Sequence, residues 1–326
     1  MTSDFKKYLV PSVVAKLSNI ELKAKSVVEG FMTGLHKSPY HGFSVEFAEH
    51  RQYMPGDDLK FLDWKVYART GRYYIKRFEE ETNLKSYILL DISKSMDFSS
   101  NKSKETYAEK KGLAKLFGKS KSSLGESKSY LTKLEYGSYV AASLAYLMLL
   151  QRDAISLTTY DTKIQNFISP RATDSNLKLM LHALNNIQST DKTGTARCLN
   201  EIADKVKRRG LVIIISDLFD DQKEVLSALR HFKYTKNEVI VFQILDPVEL
   251  SFLSGNPVTL KDVETNEEMF SQPFVMQKAY QEAVKEFTET YRMECAKSDI
   301  DYIMLSTEST FDKALINYLS KRMKMM

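Results

Sequence analysis

The chain has 326 residues, 43% of them hydrophobic and 27% charged, with a net charge of +5. That composition supports a proper apolar core and excludes a disordered chain. Its two cysteines, Cys198 and Cys295, lie far apart with no CxxC or Cys/His neighbour, so neither a disulfide framework nor a zinc site is implied.

The first residues, MTSDFKKYLV, carry an aspartate and lysines where a signal peptide would need an apolar stretch, so the cytoplasm is the expected compartment. FSVEFAEH and RYYIKRFE alternate as extended strands around a Pro55-Gly56 turn. Glu49, Arg51, Asp57, Asp58, Asp63 and Arg69 mix signs within twenty-one residues, the pattern of a compact appendage held by charge-assisted hydrogen bonds. Trp64 reads as a core anchor rather than a platform for nucleic-acid bases.

From residue 85 strands and helices alternate. KSYILLDI is a buried strand. The segment from Asn101 to Lys133 then holds nine lysines against three glutamates, so the remainder is near neutral and a general nucleic-acid surface is not expected. Its composition predicts a solvated insertion, with a basic docking surface as the alternative. LEYGSYVAASLAYLMLLQR reads as a long buried helix. Its most apolar stretch, Tyr139 to Leu150, is too short to span a bilayer. AISLTTYD and KIQNFI are short strands. Residues 174 to 187 form a helix opened by an aspartate cap, and another helix runs from about Arg197 to Arg208. LVIIISD is a second buried strand, followed by a helix near 221 to 232, the strand EVIVFQIL, a hairpin of VTLKDVE and EEMFSQP around Thr265-Asn266, the helix AYQEAVKEFTETYRMECA, the strand DIDYIML and a terminal helix. The alternation predicts an α/β fold, a mostly parallel sheet with helices on both faces.

In such a sheet ligands bind beyond the carboxyl ends of the strands. Asp91, Ser93 and Ser95 fall there at alternate positions, Ser216 and Asp217 end a second strand in the same manner, and Thr193 and Thr195 precede a helix that reaches the same edge. Oxygen donors without histidine or cysteine suit Mg2+, Mn2+ or Ca2+. Taken singly, each residue could instead cap a helix.

DISKS, the pair Gly194 and Thr195, and the aspartate that ends IIISD resemble the DxSxS, threonine and aspartate parts of the metal-ion-dependent adhesion site of von Willebrand factor A domains, over roughly residues 84 to 325. HGFSVEFAEHRQYMPGDDLKFLDWKVYARTGRYYIKRFEEE resembles the signature of bacterial proteins called domain of unknown function 58. Phe47, Glu49, Arg51, Tyr53, Pro55 to Asp58, Asp63, Trp64, Ala68 and Arg69 match it. Lys60, Phe61 and Leu62 depart slightly from the pattern, and the insertion at about 97 to 131 departs more. Relatives often carry N-terminal membrane helices that this sequence does not show.

The resemblance implies a von Willebrand factor A-like (Rossmann-like) domain over 84–326, a β-hairpin decoration, and an N-terminal helix and signature segment over 1–83 acting as a clasp. It implies a cation held by Asp91, Ser93, Ser95, Thr195 and Asp217. It further implies a protein-binding adaptor or co-chaperone of a MoxR-type AAA+ ATPase, in which the cation meets a partner's Asp or Glu, with Glu49, Arg51, Tyr53, Asp57, Asp58, Asp63, Trp64 and Arg69 binding a partner or supporting the fold. No Walker loop, GxSxG or HExxH occurs, and His36, His41, His50, His182 and His231 form no catalytic spacing. Ser93 stands where a haloacid-dehalogenase phosphatase needs its second aspartate. A non-enzymatic protein is expected, with a one-metal hydrolase and a scaffold with a dead metal site as the alternatives.

Overall fold

The computed structural model describes residues 20–35, 50–54, 64–76, 84–100, 131–189, 194–206, 209–252, 258–261, 268–271 and 273–325. In chain order these are α1 (Ile20–Leu35), β1 (His50–Gln52), α2 (Trp64–Thr70), β2 (Tyr74–Lys76), β3 (Lys85–Asp91), a 3-10 turn (Lys94–Asp97), α3 (Lys133–Leu150), β4 (Ala154–Tyr160) and β5 (Ile164–Arg171). Then come α4 (Asp174–Asn185), α5 (Thr195–Lys205), β6 (Leu211–Ser216), α6 (Gln222–Tyr234), β7 (Glu238–Leu245), α7 (Pro247–Ser251), β8 (Val258–Lys261), β9 (Glu268–Ser271), α8 (Pro273–Lys297), β10 (Asp301–Ser306) and α9 (Asp312–Met325).

The main sheet has the order β10-β7-β6-β3-β4-β5. All neighbours are parallel except β5, which pairs antiparallel with β4 at one edge. The chain leaves β3 toward β4 in one direction and later fills β6, β7 and β10 in the other. The reversal lies between β3 and β6, which makes their carboxyl ends the expected ligand crevice.

Alternation along each strand builds two cores. Ile88 and Leu90 of β3, Ile213 and Ile215 of β6 and Ile240, Phe242 and Ile244 of β7 pack with α1, α3, α4 and α9 on one face. Tyr87 and Leu89, Val212 and Ile214, and Val239 and Val241 pack with α5, α6 and α8 on the other. Both faces are covered, which is why these strands read as unbroken apolar runs. Truncating one of these fully buried residues, Ile215→Ala for example, is expected to cost about 2–5 kcal/mol.

The helix α3 is buried on most of its faces, so it shows little amphipathicity. Thr132 caps it, accepting from Glu135 N while the Glu135 carboxylate accepts from Thr132 N. Gly137 lets the helix lie close on the sheet: a Cβ there would sit 3.1 Å from Ile244 and 3.2 Å from Ile215 and Leu90. On the other side of α3, Ile20, Ala24, Val27, Val28 and Phe31 of α1 join the same core, and Lys23 donates to the Tyr139 hydroxyl at 2.6 Å.

The structure corrects three boundaries. Thr173, not Asp174, caps α4, because its side chain accepts from Asn176 N. The next helix begins at Thr195, with Gly194 at the cap. The long helix before the last strand begins at Pro273, where a fixed φ and a missing N–H suit the first helical position. The decorating hairpin forms as β8 and β9, antiparallel from Val258↔Ser271 to Lys261↔Glu268. The Lys/Ser-rich insertion lies outside the described residues from 101 to 130. No described helix is long and apolar enough to cross a membrane.

Candidate functional site

The strand register brings the site together. Leu90 of β3 lies beside Ile215 of β6, so the next residues, Asp91 and Ser216, continue side by side on the face that carries Leu89 and Ile214. Ser216 Oγ donates to Asp91 Oδ2 at 2.6 Å, and Thr195 Oγ1 donates to the same oxygen at 3.2 Å. Asp91 Oδ1 accepts from Ser93 N at 2.9 Å, which turns the chain so that Ser93 Oγ and Ser95 Oγ meet at 3.0 Å. Gly194 seats Thr195: its Cα approaches the β4–β5 turn so closely that a Cβ would lie 3.0 Å from Thr162 Cα.

Asp91 and Asp217 each accept a backbone N–H two residues on, as the local alternative expects, but neither side chain caps a following α-helix. Ser93 precedes the 3-10 turn without any side-chain cap bond, and α6 is capped by Asp221, not Asp217. Asp91, Ser93, Thr195, Ser216 and Asp217 are all buried at the point where a polar side chain is costly. Burial, then repulsion from Asp217, pushes the Asp91 carboxyl up to about 6. Among the described residues no cationic side chain contacts Asp91. Tyr160, which faces Asp91 across the β3–β4 pair, keeps a buried hydroxyl with no hydrogen-bond partner among those residues.

Asp217 lies differently. Its Oδ2 accepts from Lys133 Nζ at 2.8 Å and its Oδ1 from Phe219 N at 3.2 Å, while its main-chain oxygen accepts from Gln243 Nε2 at 2.8 Å. Lys133 is fully buried and also donates to Glu249 Oε1 at 2.6 Å. Its ammonium sits 4.8 Å from the centre of the Phe219 ring. Burial pulls the Lys133 pKa down, but the Asp217 and Glu249 carboxylates outweigh it and hold the pKa above the ordinary lysine value. Burial raises the Glu249 carboxyl against the pull of Lys133. Removing one member of such a buried pair is expected to cost about 3–5 kcal/mol, since a charge is left without compensation.

The donors fit a hard divalent cation. Ser93 and Ser95 Oγ lie 3.0 Å apart, close to the edge of about 2.9 Å between adjacent oxygens of a magnesium octahedron. The fully buried Asp91 leaves negative charge for a cation and its waters to meet. Among the described residues no group of three or more His, Cys, Asp and Glu side chains could hold a metal, so a cation here would rest on hydroxyls as much as on carboxylates.

The sequence points to neither Lys133 nor Glu249, and it places Ser216 at the strand end without counting it among the cation ligands. A lysine in the first turn of a helix opposes the helix dipole, and that was the available signal for Lys133. Of the signature residues, Tyr53 N donates to Tyr73 O at 3.0 Å, and Arg51 pairs with Ile75 in the small β1–β2 sheet. Arg69 is exposed near the end of α2, which Trp64 begins. The rings of Tyr67 and Tyr73 stack at 4.4 Å. Glu49, Asp57, Asp58 and Asp63 lie outside the described residues.

A six-stranded sheet with an antiparallel edge strand, helices on both faces and a D-x-S-x-S turn at the strand-order reversal defines a von Willebrand factor A-like protein. The family model described as "Protein of unknown function DUF58" matches residues 49–125 and 116–290, and the chain belongs to that family. Uncharacterized proteins of Mycobacterium tuberculosis and Mycobacterium bovis are 25% identical over 258 residues, covering 78% of this chain and 72% of each of theirs. Among solved structures, BatB from Bacteroides thetaiotaomicron is 14% identical with a TM-score of 0.43, covering 74% of this chain and 99% of that one. The SpRpn10 VWA domain is 10% identical with a TM-score of 0.31, covering 72% and 94%.

Proposed function

We propose that this chain is a non-enzymatic binding module that recognises an acidic group of a protein partner through a divalent cation at the β3–β6 edge. The observation that carries the reading is Asp91: a fully buried carboxylate held by Ser93 N, Thr195 and Ser216, all neutral donors, at the place where the fold presents ligands. Asp91, Ser93, Ser95 and Thr195 would hold the cation, with Asp217 in support beside Lys133. When bound, the cation supplies an electrophilic contact for a carboxylate. The protein's own residues orient the hydroxyls and exclude bulk water from the buried side.

A hydrolase needs a base to activate water, and the groups that touch Asp91 are hydroxyls and a backbone amide, which favours recognition over turnover. The partner we propose, from the family resemblance, is a MoxR-type AAA+ ATPase or its client, with the chain as adaptor or co-chaperone. Pull-down of such an ATPase in magnesium and in chelator tests this. Chelator or Asp91→Asn should weaken the complex at least about tenfold, as removal of a desolvated charged contact does. An unchanged complex would place the contact elsewhere, and cation-dependent hydrolysis abolished by Asp91→Asn would make the protein an enzyme.

A further inference from the structure

Lys133 opens α3, directly after the insertion, and its side chain meets the site at Asp217. Its backbone N donates to Phe98 O at 3.3 Å, and its ammonium bridges Asp217 of the β6 end and Glu249 of α7. The same short helix holds the other end of the insertion, where Asp246 Oδ2 accepts from Ser100 N at 3.2 Å. One buried ammonium is thus fixed against one of the two site aspartates, at a distance set by helix, strand and cap rather than by a mobile surface chain.

The charge count gives this arrangement a consequence. If Asp91 and Asp217 both offered full negative charge, a divalent cation would be neutralised on binding and would have no net charge left for an acidic partner. Lys133 stands on Asp217 at 2.8 Å and offsets its charge beside the site, while Glu249, the ammonium's other partner, returns one negative charge from α7 and limits that offset, so the paired Asp217 leaves a cation more of its positive charge than an unpaired one would. We propose, resting on the cation reading above, that Lys133 is the specificity-determining residue of this site: it weakens the hold on the cation and in return keeps the bound cation attractive to a carboxylate. Glu249 tunes the same balance from the other side, because it shares the ammonium with Asp217.

The two variants shift cation affinity in opposite directions, which a merely structural strut would not do. Lys133→Met removes the charge that competes for Asp217 and should tighten manganese binding by at least about tenfold, because a fully buried ammonium 2.8 Å from that carboxylate is poorly screened. Glu249→Gln leaves the whole ammonium to Asp217 and should weaken manganese binding several-fold. Its amide oxygen still accepts from Asp246 N, so the α7 cap survives. Isothermal titration of full-length protein with manganese, with Asp91→Asn to identify the site, reads both shifts. Should Lys133→Met fail to fold, Glu249→Gln still tests the direction. Wild-type affinity in the folded variants would overturn the proposal while leaving the cation site standing. Absence of manganese binding in wild type would overturn the cation reading and this proposal with it.

Discussion

Two buried carboxylates lie at opposite ends of adjacent strands and are held by opposite means. Asp153, at the amino end of β4, receives Arg322 Nε at 2.9 Å on one oxygen, Nη2 at 3.2 Å on the other, and the Tyr318 hydroxyl at 3.1 Å. Asp91, at the carboxyl end of β3, receives two hydroxyls and one amide. Burial is the largest upward influence on both carboxyls. At Asp153 Arg322 then pulls the pKa down, whereas at Asp91 the charge of Asp217 pushes it further up. The comparison separates a carboxylate completed by its own guanidinium, which ties α9 to the sheet, from one that carries charge the fold does not neutralise.

The largest effect should come from breaking the completed pair. Arg322→Met leaves Asp153 buried without its cation and is expected to cost about 3–5 kcal/mol in chemical denaturation. A loss below about 1 kcal/mol would show that the two carboxylates are not held differently after all.

Asp91→Asn should act in the opposite direction. It keeps the shape and one acceptor but removes an uncompensated charge, so in chelator at pH 7 the variant should be about 1–3 kcal/mol more stable than wild type. The sign follows from linkage. With a folded value near 6 against an ordinary carboxylate value, the folded state binds more protons across that window, and wild-type stability falls as pH rises through it. The advantage of the variant should therefore vanish near pH 4. Destabilisation by Asp91→Asn at pH 7 in chelator would make Asp91 a structural residue like Asp153.

A small effect is expected at Glu238, whose carboxylate is held below the ordinary range by Lys321 and Lys233 despite some burial. Here the sign reverses: the contribution is present at neutral pH and lost as pH falls through the lowered value. Glu238→Gln should cost under about 1 kcal/mol at pH 7, as partly exposed pairs do, and the difference should close on acidification. A difference that grows toward low pH would contradict the ion pairs.

The parallel core was legible because both of its faces are buried. EVIVFQIL reads as a strand and forms β7 over Glu238–Leu245, since an apolar run bounded by polar turns has little other use. That Asp91, Ser93 and Ser95 lie together beyond one strand end is legible from their spacing, and the structure brings them into contact there. The antiparallel direction of β5 follows from the Asp161 to Lys163 turn, too short for a parallel crossover, and not from the strand's own pattern. Lys133 was out of reach for a different reason. Its partners lie 84 and 116 positions away, and no local periodicity encodes a contact that exists only once α3, β6 and α7 have packed.

On the proposed reading, the charge left on Asp91 serves a cation. Thermal unfolding of wild type in manganese and in chelator tests it most directly. A ligand at a hundredfold excess over its dissociation constant stabilises the folded state by about 2.7 kcal/mol, so the wild-type midpoint should rise with manganese and that of Asp91→Asn should stay where it was in chelator. Equal wild-type midpoints in manganese and chelator would contradict the account.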